Sequence, residues 1–258
     1  MFYQYCEIAD DKPTVIFLNG LSQSTLSWMA IAPVVARSFN TLVLDLVFQG
    51  KSSDEGDFRT YDQHSEDVTL LVQFLKIQKP VLCGLSYGSA VAQHALVRYP
   101  SYYHGGILMS TFAHNSAIFT ATGESWKTAL NIGGYPLLLD IMLPTVLGAT
   151  YFEQPLIPIA TMKEQRVTAN PLPINLLKLM QATEVRGDFR PHLGKVQVPT
   201  LVVHGNEDLL IPVAVAEQVA SNISNSEFVV LDKVGHTLNL EAIPQVNKLI
   251  HEFAGKLR

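Results

Sequence analysis

The sequence predicts an α/β fold: a mostly parallel sheet flanked by helices, in one domain interrupted by a helical insertion. Short β-branched runs alternate with helical patterns up to about residue 110 and again after residue 192, which is the rhythm of βα units. Between them, from about Thr111 to His192, prolines punctuate several apolar helical stretches and no segment has strand character. With 258 residues, 48% hydrophobic and 16% charged, the chain can fill one sizeable core and is not of disordered composition.

In chain order, Thr14 to Leu18 reads as a buried strand, Trp28 to Phe39 as a helical segment with Pro33 near its regular start, and Thr41 to Leu44 as the next strand. Tyr61 to Ile77 carries Val68, Leu71, Val72 and Leu75 at helical spacing, with Asp62, Glu66 and Asp67 toward the positive end of the helix. Pro80 to Cys83 is a strand, Ser89 to Arg98 a helix, and Ile107 to Met109 a strand. After the insertion come a strand at Thr200 to Val203, a helix around Val213 to Ala220, a strand at Phe228 to Leu231 and a final helix from about Ile243 to Leu257. The domain assignment that follows is 1–110 with 193–258 as the core and 111–192 as an inserted cap.

A formal net charge of -5 and the lack of any Lys/Arg cluster exclude a nucleic-acid footprint. Two cysteines, Cys6 and Cys83, imply no disulfide framework, and Cys83 sits in an apolar run where a thiol fills core. Met1 to Tyr5 lacks the basic start and apolar run of a secretion signal, so a cytoplasmic location is expected. The longest apolar stretch, Tyr135 to Phe152, is broken by Pro136, Asp140 and Pro144, so no membrane span is expected.

Gly84-Leu85-Ser86-Tyr87-Gly88 follows a strand and precedes a helix, the context that gives a G-x-S-x-G pattern its meaning. A sharp strand-to-helix turn strains the serine backbone, needs glycines two residues either side, and presents the hydroxyl at a helix N-terminus that favours negative charge. A serine hydroxyl needs a base and an orienting carboxylate. His236, just after the last strand, is the best placed of eight histidines. His204 reads as structural, His64, His94 and His251 as helix residues, and His104, His114 and His192 as loop or near-loop residues. Asp208, beyond the strand ending at His204, is the preferred acid; Glu207 is its immediate competitor, and Asp188 and Asp232 are more distant ones.

Taken together, these features resemble the α/β-hydrolase superfamily over nearly the whole chain outside the cap. Besides the elbow, Gly205-x-x-Asp208-x-x-x-Pro212 resembles the family's acid turn, Gly235-His236 with Glu241, Pro244, Asn247, Ile250 and Phe253 its histidine turn and last helix, and Asp45 with Gly50 and Ser52 the loop after its fourth strand. The resemblance implies an oxyanion hole made by the backbone N–H groups of Leu21 and Tyr87, and no cofactor or metal. Two departures stand out. Asn19-Gly20 replaces the usual His-Gly, which is similar to relatives that transfer 3-hydroxyacyl groups from acyl carrier protein. Met1 to Lys12 also leaves room for one strand where the family commonly has two, so seven strands are expected rather than eight.

The expected activity is cleavage of a carboxylic ester or thioester of an apolar acyl group, a small-molecule substrate, through an acyl-Ser86 intermediate. The alternatives are an acyltransferase using a 3-hydroxyacyl donor and a non-catalytic small-molecule binder. Phe112, Phe119, Trp126, Leu137, Leu138, Met142, Leu143 and Phe152 are the candidates to line an acyl pocket, or else they pack the cap onto the core.

Overall fold

In the computed structural model, which describes residues 1–168 and 172–257, seven strands form one sheet in the order β1-β3-β2-β4-β5-β6-β7. They are β1 (Tyr3–Cys6), β2 (Thr14–Leu18), β3 (Asn40–Leu44), β4 (Val81–Leu85), β5 (Gly105–Met109), β6 (Thr200–Gly205) and β7 (Ser226–Leu231). Only β1, on the edge beside β3, is antiparallel; every other pairing is parallel. The single strand ahead of Thr14 and the total of seven agree with the sequence reading.

The strands β2 to β6 are buried on both faces, as a sheet covered by helices on either side requires. Alternate residues serve opposite cores: Ile16, Leu18, Leu42 and Leu44 face one, while Val15, Phe17 and Val43 face the other. The helices are α1 (Ala32–Val35), α2 (Tyr61–Phe74), α3 (Tyr87–Arg98), α4 (Ala117–Val146), α5 (Ala149–Glu153), α6 (Ile159–Thr168), α7 (Pro173–Glu184), α8 (Val213–Ser221), α9 (Leu238–Glu241) and α10 (Ile243–Lys256). Thr60 starts α2 with a complete capping box, its side chain accepting from Gln63 N while Gln63 reaches back. Val246, Ile250, Phe253 and Ala254 seat α10 on the same face of the sheet as α1.

The segment read as one helix over 28–39 is shorter: a 3-10 turn at Thr25–Trp28, then a single α-helical turn, α1. Pro33 fixes its start, and the β-branched pair Val34-Val35 favours no extension. Between β5 and β6 lie α4 to α7. This segment leaves and returns at one neck, where Phe189 N donates to Ala113 O at 2.7 Å. By length and composition α4 could cross a membrane, but its backbone leaves helical geometry at Gly134. The parts 117–133 and 135–146 are each shorter than the roughly 20 residues a span needs.

Arg186, just after α7, ties this segment to the core. Its guanidinium donates to Gln93 Oε1 at 2.6 Å, Phe112 O at 2.8 Å and His94 Nε2 at 3.1 Å, and lies over the rings of Tyr61, Phe112 and Phe189. His94 Nδ1 in turn meets Asp62 at 2.7 Å.

Candidate active site

Ser86 stands between β4 and α3 with φ 51° and ψ -110°, a strained backbone for any residue but glycine. The flanking glycines are sterically required, since a Cβ on Gly84 would lie 2.4 Å from Gly88 O and one on Gly88 2.4 Å from Leu18 O. Ser86 N is anchored to Met109 O at 2.8 Å. Tyr87 opens α3, where first-turn N–H groups have no intrahelical acceptor. Among the described residues no hydrogen bond engages the Leu21 N–H either.

Asp208 is buried in the loop after β6. Its Oδ1 accepts from Leu210 N at 2.9 Å and Ile211 N at 2.8 Å, and its Oδ2 meets His236 Nδ1 at 2.7 Å and His204 Nε2 at 3.2 Å. Burial alone would raise this carboxyl's pKa. The charge of His236 and the hydrogen bonds from His204 and His236 outweigh it, holding the group well below the usual carboxylate range. An ionised Asp208 fixes the proton on His236 Nδ1 and leaves Nε2 as the acceptor. The His236 backbone is held as firmly: its O accepts from Ser110 Oγ at 2.7 Å and its N donates to Val146 O at 3.0 Å.

The competing acids are engaged elsewhere. Glu207 accepts from Thr150 N at 2.8 Å and Thr150 Oγ1 at 2.7 Å, Asp232 from Asn206 at 2.7 Å, and Asp188 pairs with Arg190. Of the other histidines, His204 touches Asp208 and Ile211 O, whereas His251 bonds Asn247 O. His64, read as a helix residue, is fully buried, with neither ring nitrogen bonded among the described residues, and burial pushes its imidazole down to about 3.

Ser86 and His236 line one cavity of about 50 Å³, together with Leu21, Met142, Val146 and Arg166. No hydrogen bond links Ser86 Oγ to the imidazole among the described residues. A larger cavity of about 490 Å³ adjoins it, the two sharing Leu21, Trp126 and Leu210 in their walls. Of the eight apolar side chains considered for an acyl pocket, only Phe119, Trp126 and Met142 line these cavities. Phe112, Leu138 and Leu143 pack in the core and Phe152 is exposed. Among the described residues no three His, Cys, Asp or Glu side chains gather into a metal-binding group.

Sequence reasoning missed three contributors. Asn19 points away from the cavity: it donates to Leu44 O at 2.9 Å and Asp45 Oδ1 at 3.1 Å and accepts from Trp28 Nε1 at 2.9 Å, so it braces the Gly20-Leu21 loop. Glu241 accepts from Gly235 N and Gly148 N, each at 2.9 Å, and from Thr237 N at 3.0 Å, joining the His236 loop to the start of α5. Arg166, from α6, enters the Ser86 cavity. Glu241 had a sequence signal in its place after Gly235-His236 and Asn19 in its departure from His-Gly, whereas Arg166 had none.

A family profile described as alpha/beta hydrolase fold matches residues 13–133. The strigolactone esterase of Pisum sativum is 24% identical over 88% of this chain and 87% of its own length. Among solved structures, MGS-M2, an alpha/beta hydrolase enzyme from a Medee basin deep-sea metagenome, superposes with a TM-score of 0.91 at 22% identity, covering 98% of this chain and 94% of its own. The enol-lactonase of Burkholderia xenovorans superposes with a TM-score of 0.87 at 23% identity over 98% and 96%.

Proposed function

The chain has the α/β-hydrolase fold, and on that premise we propose that it is a serine hydrolase of carboxylic esters or thioesters. The observation that carries the reading is the buried Asp208–His236 pair opening on the same small cavity as the strained Ser86. The relatives include an esterase and a lactonase, which supports hydrolysis as the reaction class.

In this reading His236 Nε2 takes the Ser86 proton as Oγ attacks the acyl carbon. The Leu21 and Tyr87 N–H groups stabilise the resulting oxyanion. His236 then protonates the leaving alcohol or thiol, and a water, deprotonated by the same imidazole, releases the acid and regenerates Ser86. Asp208 stays ionised throughout and stabilises the imidazolium. The absent Ser86–His236 hydrogen bond is compatible with this cycle, because such bonds often tighten only with substrate in place. Residues 111–192 act as the cap, over a core of 1–110 and 193–258.

Replacing Ser86 by Ala tests the assignment. Ester turnover is expected to fall by more than about a thousandfold with an unchanged unfolding midpoint, and fluorophosphonate labelling to disappear. Turnover retained in Ser86→Ala defeats the nucleophile assignment. A wild-type protein inert to both reagents favours a binding role, and labelling without hydrolysis favours acyl transfer to another acceptor.

A further inference from the structure

Among the described residues, Arg166 is the one permanently charged side chain lining the cavity that holds Ser86 and His236. Leu21, Met142 and Val146, hydroxyls and an amide are among its other lining groups. Arg166 is partly buried on α6, and among the described residues no carboxylate or hydrogen-bond acceptor engages it. Four other arginines differ: Arg59, Arg98 and Arg190 pair with aspartates, and the partly buried Arg186 is satisfied by two oxygens and a ring nitrogen.

The Arg166 guanidinium keeps contact with water, and among the described residues no carboxylate holds it, so it is free to take an anionic partner that arrives with the ligand. Its chemistry follows from the fork of donors, which matches a carboxylate in bidentate fashion. One cation in a neutral lining balances one negative charge, whereas a phosphate dianion would call for more. The spacing follows from the shared lining: Arg166, Ser86 and His236 border one cavity, so an anion held by Arg166 stands close to the carbonyl presented to Ser86.

We propose that Arg166 recognises a carboxylate carried by the substrate, so that the ester or thioester cleaved at Ser86 belongs to an acid-bearing molecule such as a dicarboxylic half-ester or a carboxylated lactone. This rests on the serine-hydrolase reading and narrows it. Arg166 in this role sets specificity, and the proton transfers remain with His236.

The test compares mono-p-nitrophenyl succinate with p-nitrophenyl butyrate, acyl groups of equal carbon count that differ in one carboxylate. Arg166→Ala is expected to lower kcat/KM for the succinate ester by about 10- to 100-fold, mostly through KM. The butyrate ester should stay within about twofold, and Arg166→Lys should recover part of the loss. An equal fall for both esters, or a fall confined to kcat, overturns the proposal and assigns Arg166 to the oxyanion or to the fold. Calorimetric binding of succinate to Ser86→Ala protein, with and without Arg166→Ala, separates this from the hydrolase reading. Arg166-dependent succinate binding, together with wild-type protein that turns over neither ester, sinks the latter alone. Inorganic phosphate bound more tightly than succinate at the same residue overturns the carboxylate assignment.

Discussion

Asp45 and Asp208 are both buried carboxylates in loops at the C-terminal edge of the sheet, both saturated with hydrogen bonds, yet they occupy different kinds of site. Asp45 follows β3 and accepts from Thr25 N at 2.7 Å, Lys51 N at 2.9 Å and Asn19 Nδ2 at 3.1 Å. All of these donors are amides, which do not titrate. Asp208 accepts from two amides and two imidazoles, and one of those imidazoles reaches the Ser86 cavity. Burial and full hydrogen bonding are thus common to a strut and to the carboxylate we propose for proton handling. What separates them is whether a partner carries a second titratable nitrogen toward a cavity.

The Asp45 turn also explains the Asp-Gly-Ser spacing seen in the sequence. Gly50 has φ 49°, and a Cβ there would lie 2.1 Å from Asp45 Oδ2, so the glycine makes room for the carboxylate. Ser52 Oγ donates to Asp45 O and accepts from Phe2 N at 2.8 Å, fastening the first residues of the chain beside β3. The motif is a brace for the Asn19-Gly20-Leu21 loop.

Breaking the comparison at Asp208 gives the largest effect. Asp208→Asn keeps the volume but loses the charge and the imposed tautomer, so ester turnover is expected to fall about 10⁴-fold while the fold persists. A loss below tenfold would place Asp208 with Asp45 among the struts. The reciprocal change, Asp45→Ala, removes the acceptor of Thr25 N, Lys51 N and Asn19 Nδ2 and is expected to lower the unfolding free energy by about 3 kcal/mol in urea titrations. Its kcat should fall by no more than about tenfold, through a loosened Leu21 loop; a larger kcat loss without destabilisation would erase the distinction.

A smaller effect comes from His64, buried like both aspartates but with neither ring nitrogen bonded. Its folded-state pKa is lowered from 6.5 to about 3, by burial first and the charge of Arg59 second, so the unfolded chain binds the proton and the folded one does not. The stability it supports is complete above pH 6.5 and is lost as pH falls toward about 3. His64→Phe should flatten the decline of the urea midpoint between pH 7 and pH 4; an unchanged slope would show that His64 does not titrate there. The smallest effect belongs to Glu207→Gln, expected to alter kcat less than about threefold because its oxygens hold Thr150 and not His236. A drop like that of Asp208→Asn would reverse the choice between the two neighbours.

The elbow was legible because its demands are local: a strand, a helix, and glycines where a Cβ cannot fit. Asp208 and His236 were legible through their positions after β6 and β7, at the edge where Ser86 also stands. The choice of Asp208 over Glu207 was less so, because successive loop residues point to opposite sides and the sequence does not say which. Asn19 was seen as a departure, but its bond to Trp28 is a tertiary fact without a local pattern. Arg166 was illegible for the same reason on a larger scale. Which face of α6 turns inward depends on the packing of the whole insertion, and one buried residue, Met162, leaves little periodicity to read.

The junction between the His236 loop and the start of α5 constrains how this molecule could be rebuilt. A Cβ on Gly235 would stand 2.2 Å from Gly148 N, and Glu241 and Glu207 clasp the amides of Gly148 and Thr150 from either side. With His236 N bonded to Val146 O, residues 146–150 are continuous with the machinery beneath them. A designer who exchanges the whole insertion at the neck formed by Ala113 and Phe189 would therefore cut away part of the histidine's own support. The parts open to exchange are narrower, α4 before Val146 and the helices after Thr150, with residues 146–150 kept in place.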